Sequence, residues 1–243
     1  MILKRRIPII LVLNERAVVT TNFKNPFYVS DPENLTRIYS EKEVDELMVL
    51  QINERFGLSN NFVYLRKLAK LCKSPLLMGG GINSIKQIEM LIEAGVERVL
   101  LGKHAIQSPQ FLKESAKKFG SSSLTVNIDY TGGIDSKIRQ CKYSTGSNLL
   151  QMAIQMQDAG AGEIVFTSVD RNGTRYGYDR QLIDDISTHL NVPVILNGGC
   201  ASKQSMNDIL FHPDIAGAGA STAIFIREPN QAVLPVYPTN VSK

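Results

Sequence analysis

The chain has 243 residues, 43% of them hydrophobic, so it is long enough to bury a full core as one domain or two. Its net charge of +4 is only mildly basic, and its Lys and Arg residues lie scattered among acids, which argues against a nucleic-acid partner. Its three cysteines and three histidines lack the spacing of a disulfide framework or a metal site, so we expect a cytoplasmic protein with no metal and no other cofactor.

The first element begins like a signal peptide, with basic residues ahead of an apolar run at 7–13. The run lacks a small-residue cleavage site and is far shorter than the ~20 residues that span a bilayer. We therefore expect a buried strand and no membrane association. No side chain in this run, Leu11 included, donates or accepts a hydrogen bond or carries a charge.

Further apolar runs of strand length follow, with helical patterns between them. Helices are predicted at 31–39, which opens with Asp and Pro, and at 84–94 and 108–119, each of which is followed directly by Gly. An alternation of strand and helix that repeats along the chain is typical of an α/β protein rather than a β-sandwich. The predicted strands are 7–13, 46–52, 75–78, 98–101, 124–128, 163–168, 193–196 and 215–219.

The chain also resembles itself. "GGINS" at 80–84 and "GGCAS" at 198–202 each follow an apolar strand and precede a helix, 118 positions apart. This spacing indicates two half-barrels, at roughly 1–120 and 121–243, so we predict a single (β/α)8 TIM-barrel domain over 1–243. After the eighth strand, Pro229, Pro235 and Pro238 predict a short or broken closing helix.

The functional face of such a barrel lies at the carboxyl ends of the strands, where three features stand out. Glycines follow the third and seventh strands, where they either bind phosphate through backbone N–H groups or merely turn the chain. The stretch "TSVDRNGTRYGYD" at 167–179 is richer in hydroxyls, charge and glycine than a connection requires, although a solvated loop would also fit. Asp129 ends the fifth strand, where it acts as a general acid or base or caps the turn.

Charged residues also stand at the opposite end of the barrel, where strands begin. They belong to the first, second, fourth and sixth strands, and two are acids and two are bases. This placement predicts a neutral ring across the barrel bottom, with ordinary solvated strand ends as the alternative. The four residues are Arg5, Glu46, Arg98 and Glu163.

The chain contains, in this order, "KRRIP", "VVTTNF", "DP", "DEL", "GGGINS", "AGVERV", "FGS", "IDY", "DAGAGEIVFTSVDRNGTRYGYD", "VPVILNGG" and "STAIF". In this order and spacing the motifs resemble HisF, the cyclase subunit of imidazole glycerol phosphate synthase, over nearly the whole chain. In that family a glutaminase releases ammonia, and a barrel conducts it to a bis-phosphorylated substrate that the barrel cleaves and cyclises. The resemblance implies a HisH-like glutaminase at the N-terminal barrel face. It also implies that the four charged residues form an ammonia gate, with Arg98 in place of the usual Lys.

The resemblance implies two catalytic aspartates, at the ends of the first and fifth strands. The second corresponds to Asp129, but the first corresponds to Leu11, which cannot transfer a proton. Val19 stands at the family's loop lysine, and Gln51 stands at its aspartate after the second strand. These departures predict that the cyclase (lyase) chemistry is lost.

The resemblance also implies two phosphate sites. One keeps its glycines after the third strand but has Gly-Lys in place of an Asn-Thr pair after the fourth, so a lysine point charge replaces the original geometry. The other survives in outline, with Asn in place of an Asp. The implied positions are Gly80, Gly81, Gly102 and Lys103 for the first site, and Asn172, Gly173, Gly198, Gly199, Thr222 and Ala223 for the second.

Three hypotheses remain open. The first is a HisF-like paralogue of the kind found in surface-polysaccharide operons, which activates a HisH-like glutaminase and conducts ammonia to a sugar amidotransferase for amidino-sugar (O-antigen lipopolysaccharide) synthesis. The second is a functional cyclase of histidine biosynthesis in which another residue replaces the missing aspartate. The third is a structural partner without ammonia transfer. The apolar Leu11 and Val19 favour the first, because neutral ammonia crosses a dry lumen more readily than ammonium.

Overall fold

The apolar runs predicted to be strands are strands, and they pair side by side into a closed ring. The computed structural model describes residues 4–52, 58–132, 139–144, 148–227 and 232–237, to which the following statements apply. The first barrel strand pairs in parallel with both the second and the eighth, with Arg5 opposite Gly217 at the closure. The predicted (β/α)8 barrel is therefore confirmed.

The strands are numbered along the chain. They are β1 (Arg5–Leu13), β2 (Arg16–Thr21), β3 (Lys24–Ser30), β4 (Leu47–Gln51), β5 (Leu76–Gly79), β6 (Arg98–Leu101), β7 (Leu124–Thr131), β8 (Gln140–Cys141), β9 (Glu163–Ser168), β10 (Val194–Asn197), β11 (Ile215–Ala220), β12 (Ile226–Arg227) and β13 (Ala232–Val233). The barrel ring runs β1, β4, β5, β6, β7, β9, β10, β11 and back to β1. In this ring β7 lies diametrically opposite β1.

Helices cover the outside of the ring. They are α1 (Pro32–Glu41), α2 (Leu58–Leu71), α3 (Ile85–Glu93), α4 (Lys103–Gln107), α5 (Pro109–Phe119), α6 (Leu149–Asp158), α7 (Arg180–Ile186), α8 (Lys203–Leu210) and α9 (Thr222–Phe225), with 3₁₀ turns at Ser121–Ser123 and Ser187–His189. The predicted helices correspond to α1, α3 and α5. The helix after β11 is only four residues long, as the prolines of that segment predict. No described helix is both long and apolar enough to cross a bilayer.

The two segments that resemble each other in sequence start their helices in the same way. Ahead of α3, Gln87 Oε1 accepts a hydrogen bond of 3.1 Å from the backbone N–H of Ser84. Ahead of α8, Ser205 Oγ accepts one of 3.0 Å from the backbone N–H of Ser202. Gln87 and Ser205 each stand three residues after the serine that precedes the helix. Each accepts from the backbone N–H of that serine, a group that has no partner within the helix. The half-barrel duplication itself stays a prediction.

Apolar side chains form two layers because successive residues of a strand point to opposite faces. On β7, Leu124, Val126 and Ile128 pack outward against the helices. The residues between them point into the barrel. The inner layer, called the lumen cluster below, consists of Ile7, Ile9, Leu11, Val18, Met48, Leu77, Leu100, Val165 and Ile195.

A β-hairpin, β2–β3, extends the sheet from the end of β1, where the resemblance had implied a loop around Val19. Leu11 pairs with Val18 and Leu13 with Arg16, so the hairpin folds back antiparallel on β1. The hairpin turn places Asn22 and Phe23 at φ of 53° and 58°. The β-branched run "VVTT" at 18–21 is the signal that could have predicted this strand.

Candidate functional site

Asp129 lies near the carboxyl end of β7, with its side chain on the inner face of the barrel. It is 9% exposed, and its Oδ1 accepts a hydrogen bond of 2.8 Å from Asn127 Nδ2. Burial raises the pKa of the Asp129 carboxyl, although hydrogen bonds from Asn127 and Tyr143 and the charge of Lys142 act to lower it. A carboxyl with a raised pKa exchanges its proton closer to neutral pH, which suits acid–base work.

Leu11 lies on β1, on the opposite side of the barrel mouth. It is 3% exposed and packs in the lumen cluster, in register with Leu50 of β4 and Val18 of β2. The mouth therefore has a carboxylate on one side and an aliphatic side chain on the other. The Leu11 position supplies no second proton-transfer group to work with Asp129.

The prediction that Val19 lines the lumen is wrong. Side chains alternate along β2, and Val18 takes the inner position beside Leu11. Val19 therefore faces the outer layer, where it is 6% exposed. The apolar surface next to Leu11 is supplied by Val18 instead.

The lumen is apolar on the side of β1, β4, β5 and β6 and mixed on the side of β7, β9 and β10, where Val165 and Ile195 lie among polar side chains. β1, β4, β5 and β6 supply aliphatic side chains to the lumen cluster. β7, β9 and β10 add three polar side chains, Asn127, Thr167 and Asn197, of which the sequence had pointed only to Thr167, as part of the stretch 167–179. Asn197 Nδ2 donates to Thr167 Oγ1 at 3.2 Å, and Thr167 Oγ1 donates to Asn127 Oδ1 at 2.6 Å. Since Asn127 donates in turn to Asp129, this hydrogen-bonded chain ends on the carboxylate.

The β2–β3 hairpin contacts the loop that follows β9, across the mouth from β1. Thr20 Oγ1 donates a hydrogen bond of 3.0 Å to Asn172 Oδ1. The backbone N–H of Asn22 donates to the Asn172 carbonyl at 2.8 Å, and Asn22 Nδ2 donates to the Asp170 carbonyl at 3.0 Å. The Asn172 side chain, implied to hold phosphate, is thus hydrogen-bonded to the hairpin in this structure.

Gly173 is expected to be essential for this contact. Its φ is 71°, and a Cβ there would collide with the carbonyl oxygen of Thr20. We expect Gly173→Ala to lower the free energy of unfolding by about 1–3 kcal/mol, because it combines backbone strain with a collision. It should also displace the hairpin, so that trypsin cuts faster after Arg16 and Lys24.

Gly177→Ala is the matched control for that experiment. Gly177 lies in the same loop at φ of 94°, but a Cβ there would meet nothing within 4 Å. This variant should lose some stability through its backbone conformation and leave the rate of hairpin cleavage unchanged. Equal cleavage rates in both variants would contradict the role given to the Gly173 contact.

The second implied phosphate site draws on three segments that the structure brings together. The backbone N–H of Gly177 donates to the Gly199 carbonyl at 2.7 Å, and the Tyr178 hydroxyl donates to the Gly219 carbonyl at 2.9 Å. Gly198 and Gly199 have φ of 94° and 89°, which favours glycine at both positions. The remaining two residues of the set, Thr222 and Ala223, begin α9 and are half-buried. Binding of an anion by these residues stays a prediction.

The first implied phosphate site is less complete. Gly80 has a φ of 115° and packs against the backbone of Gln51, where a Cβ would collide with the carbonyl oxygen. Gly81 has a φ of 70°, and Gly102 precedes α4. Lys103 is exposed on the first turn of that helix. Its role as an anion ligand also stays a prediction.

At the N-terminal end of the barrel the four charged side chains meet. Arg5 Nη1 lies 2.9 Å from Glu46 Oε2, Arg5 Nη2 pairs with Glu163 Oε1, and Arg98 Nη2 lies 2.5 Å from Glu46 Oε1. Among the described residues no ion pair joins Arg98 to Glu163, so the predicted ring is an open row. Burial opposes the charge of Arg5, but Glu163 and Glu46 outweigh it and raise the pKa of its guanidinium. Burial raises the pKa of Glu46 against the pull of Arg5 and Arg98.

A second ionic cluster, not foreseen from the sequence, ties Arg139, the residue before β8, to the end of the loop before α7. Arg139 Nε and Nη2 each lie 2.8 Å from an oxygen of Asp179, a bidentate pair. Tyr130 also donates its hydroxyl to Asp179 at 3.1 Å, and Asp185 accepts from Arg139 Nη1 at 2.9 Å. The Arg139 charge and hydrogen bonds hold the pKa of Asp179 below its usual value, although its burial acts to raise it. This cluster fixes the far end of the 167–179 loop.

Within the described ranges no group of three or more His, Cys, Asp or Glu side chains is arranged to hold a metal.

Comparison with known proteins places these features in a family. The sequence model of the family described as "Histidine biosynthesis protein" matches residues 5–229. A Leptospira borgpetersenii protein named "Putative imidazole glycerol phosphate synthase subunit HisF" is 32% identical over 249 residues, covering 100% of this chain and 98% of that protein. The Pseudomonas aeruginosa "Putative imidazole glycerol phosphate synthase subunit hisF2" is 33% identical, covering 98% and 97%. The Hydrogenobaculum "Imidazole glycerol phosphate synthase subunit HisF" is 35% identical, covering 84% and 83%.

Proposed function

The chain belongs to the histidine biosynthesis protein family and is HisF-like, and from that premise we propose that it is the ammonia-conducting subunit of a glutamine amidotransferase assembly that lacks cyclase chemistry. A HisH-like glutaminase docks at the N-terminal barrel face and is activated there. Ammonia then crosses the barrel to an acceptor at the C-terminal mouth.

The observation that carries this proposal is the asymmetry of the mouth. Asp129 is retained at the end of β7, and the opposite position on β1 is the buried Leu11. Acid–base chemistry on both sides of a substrate needs a proton donor or acceptor on each side, and Leu11 provides neither. The lumen below the mouth is nevertheless closed to bulk water and apolar on one wall, which favours a neutral molecule such as ammonia over a cation.

The row of charges at the N-terminal end supports the docking part of the proposal. Arg5, Glu46 and Glu163 are almost completely buried, with side-chain exposures of 8%, 0% and 4%. A buried ionic row costs desolvation free energy and is weak evidence for stability, so a role at the lumen opening explains it better. In the proposal this row controls passage between the docked glutaminase and the lumen.

The acceptor that we propose is a sugar amidotransferase of amidino-sugar synthesis. Its support is the missing cyclase carboxylate, because an acceptor enzyme bound at the mouth carries its own catalytic groups. Under this proposal the mouth serves only as the exit for ammonia, and this role does not require a carboxylate at the position of Leu11.

Docking is tested by titrating a HisH-type glutaminase with the barrel and following glutamine hydrolysis. We expect hydrolysis to rise and saturate with added barrel. Phe211, 82% exposed between α8 and β11 at the N-terminal end, offers a variant. Exposed aromatic residues often anchor interfaces, so Phe211→Ser should weaken binding about tenfold, or roughly 1.4 kcal/mol.

Tyr176→Ser is the matched control, because Tyr176 is 70% exposed but lies in the loop at the C-terminal face. It should leave the binding curve unchanged. A wild-type barrel that does not raise glutamine hydrolysis would refute docking and activation. Equal weakening by both variants would refute docking at the N-terminal face.

A further inference from the structure

One polar group in the lumen has no hydrogen-bond partner. Thr125 is 0% exposed, and its Oγ1 makes no hydrogen bond within the described part of the chain. Thr125 lies on the inner face of β7, because its neighbours Leu124 and Val126 pack in the outer layer. A buried hydroxyl without a partner costs free energy, and valine has nearly the same shape without that cost.

The position of this hydroxyl along the barrel is specific. Thr125 pairs in register with Glu163 of β9 on one side and with Leu100 of β6 on the other. It therefore lies at the level of the ionic row, just inside the lumen. Asn127 follows two residues later on the same face of β7, about 6.6 Å further toward the mouth. Asp129 lies two residues beyond Asn127 on the same face of β7.

Thr125, Asn127 and Asp129 thus form a polar line along one strand, from the ionic row to the mouth. The Asn127 amide and the Asp129 carboxylate already have partners within the protein. The Thr125 hydroxyl is the member whose donor and acceptor sites are both open. On the facing wall, Arg5 and Glu46 are already paired within the ionic row. Beyond them, Ile7, Ile9 and Met48 are apolar.

We propose that the Thr125 hydroxyl is a binding site for neutral ammonia just inside the ionic row, from which ammonia passes along the Asn127 side of the lumen to the mouth. This proposal rests on the proposed function, and Thr125 is the residue that receives ammonia after the ionic row. Ammonia both accepts and donates hydrogen bonds, so it satisfies the hydroxyl that the fold leaves open. Because Thr125 is fully buried at rest, ammonia reaches it when the side chains of the row and the lumen move apart.

The test uses the purified barrel alone and ammonium chloride as the probe. NMR signals of the Asn127 side-chain amide are followed at alkaline pH, where much of the probe is neutral ammonia, with potassium chloride at equal concentration as the salt control. We expect a saturable shift with ammonium chloride only, and a far smaller one at mildly acidic pH. Thr125→Val should weaken the apparent affinity about fivefold to tenfold, the effect of one lost hydrogen bond.

Thr125→Ser keeps the hydroxyl and should bind like the wild type. Thr125→Val should melt at or above the wild-type temperature, since it removes an unpartnered polar group. The proposal is overturned if the wild type gives no shift beyond that of potassium chloride, if Thr125→Val shifts like the wild type, or if Thr125→Val melts well below it. The glutaminase titration is a separate readout. If the glutaminase docks but the NMR shifts are absent, the Thr125 site is refuted and the assembly is not. If the shifts are present but the glutaminase does not dock, the assembly is refuted and the Thr125 site is not.

Discussion

Arg5→Met is expected to destabilise the barrel by about 3–5 kcal/mol, because it leaves buried carboxylates without their shared cation. Arg5 pairs with both Glu46 and Glu163, and Glu163 has no other ion pair among the described residues. Glu46 keeps its contact with Arg98. The free energy of unfolding, measured by chemical denaturation near pH 7, checks this expectation.

The pH dependence of the Arg5→Met loss has a definite sign. Burial already raises the pKa of Glu46, and removing the Arg5 charge raises it further. A carboxyl whose pKa is higher in the folded state than in the unfolded state stabilises the fold at low pH. That stabilisation is lost as the pH rises from the unfolded-state pKa through the folded-state pKa. The deficit of the variant should therefore shrink as the pH falls toward the ordinary range of a glutamate, about 4.3.

Two companion variants separate charge from packing. Arg5→Met combined with Glu163→Met removes the unpaired acid as well and should recover much of the lost stability. Arg98→Met should cost less, about 1.5–3 kcal/mol, because Arg98 contacts one member of the row and its side chain is 19% exposed. A loss below about 1 kcal/mol for Arg5→Met, or no recovery in the double variant, would show that the row is not the coupled unit described above.

The second large effect concerns the chemistry of the mouth. Supplied with ammonium salt and the bis-phosphorylated ribonucleotide substrate of HisF cyclases, the purified barrel should form imidazole product about 10²- to 10⁴-fold more slowly than an ordinary cyclase. That factor is the usual contribution of one general acid or base. The resemblance places that group at position 11, where this chain has the aliphatic Leu11, only 3% exposed.

Asp129→Asn gives the matched variant for this assay. If the remaining carboxylate has no partner in catalysis, the substitution should leave the residual rate unchanged. A rate near that of ordinary cyclases, abolished by Asp129→Asn, would establish the alternative of a functional cyclase in which another residue replaces the missing aspartate.

The barrel could be predicted from the sequence because its strands carry their own signals. Runs such as 98–101 and 163–168 are bounded by turn residues, and their order with the helices leaves little choice of fold. That fold places Asp129 and Leu11 near the carboxyl ends of two strands that face each other across the barrel. A strand end fixes where a side chain lies along the barrel, even when its contacts are unknown.

Other parts of the site depend on information that the sequence does not show locally. The hairpin shifts the phase of alternation, so Val18 rather than Val19 faces the lumen, and only the pairing with Leu11 decides this. Thr167 was noticed as part of a polar loop, whereas its hydroxyl points inward from β9 and joins Asn127 on another strand. Contacts between residues about 40 positions apart in the chain follow from barrel closure and not from a motif.

The central claim, that ammonia released from glutamine crosses this barrel, is tested most directly by isotope competition. The assembly of glutaminase, barrel and acceptor enzyme receives glutamine labelled with ¹⁵N in its amide, together with an excess of unlabelled ammonium chloride. We expect the nitrogen in the product to be predominantly ¹⁵N, because ammonia inside the lumen does not mix with the bulk. A product whose label is diluted to the composition of the bulk ammonia would contradict the claim.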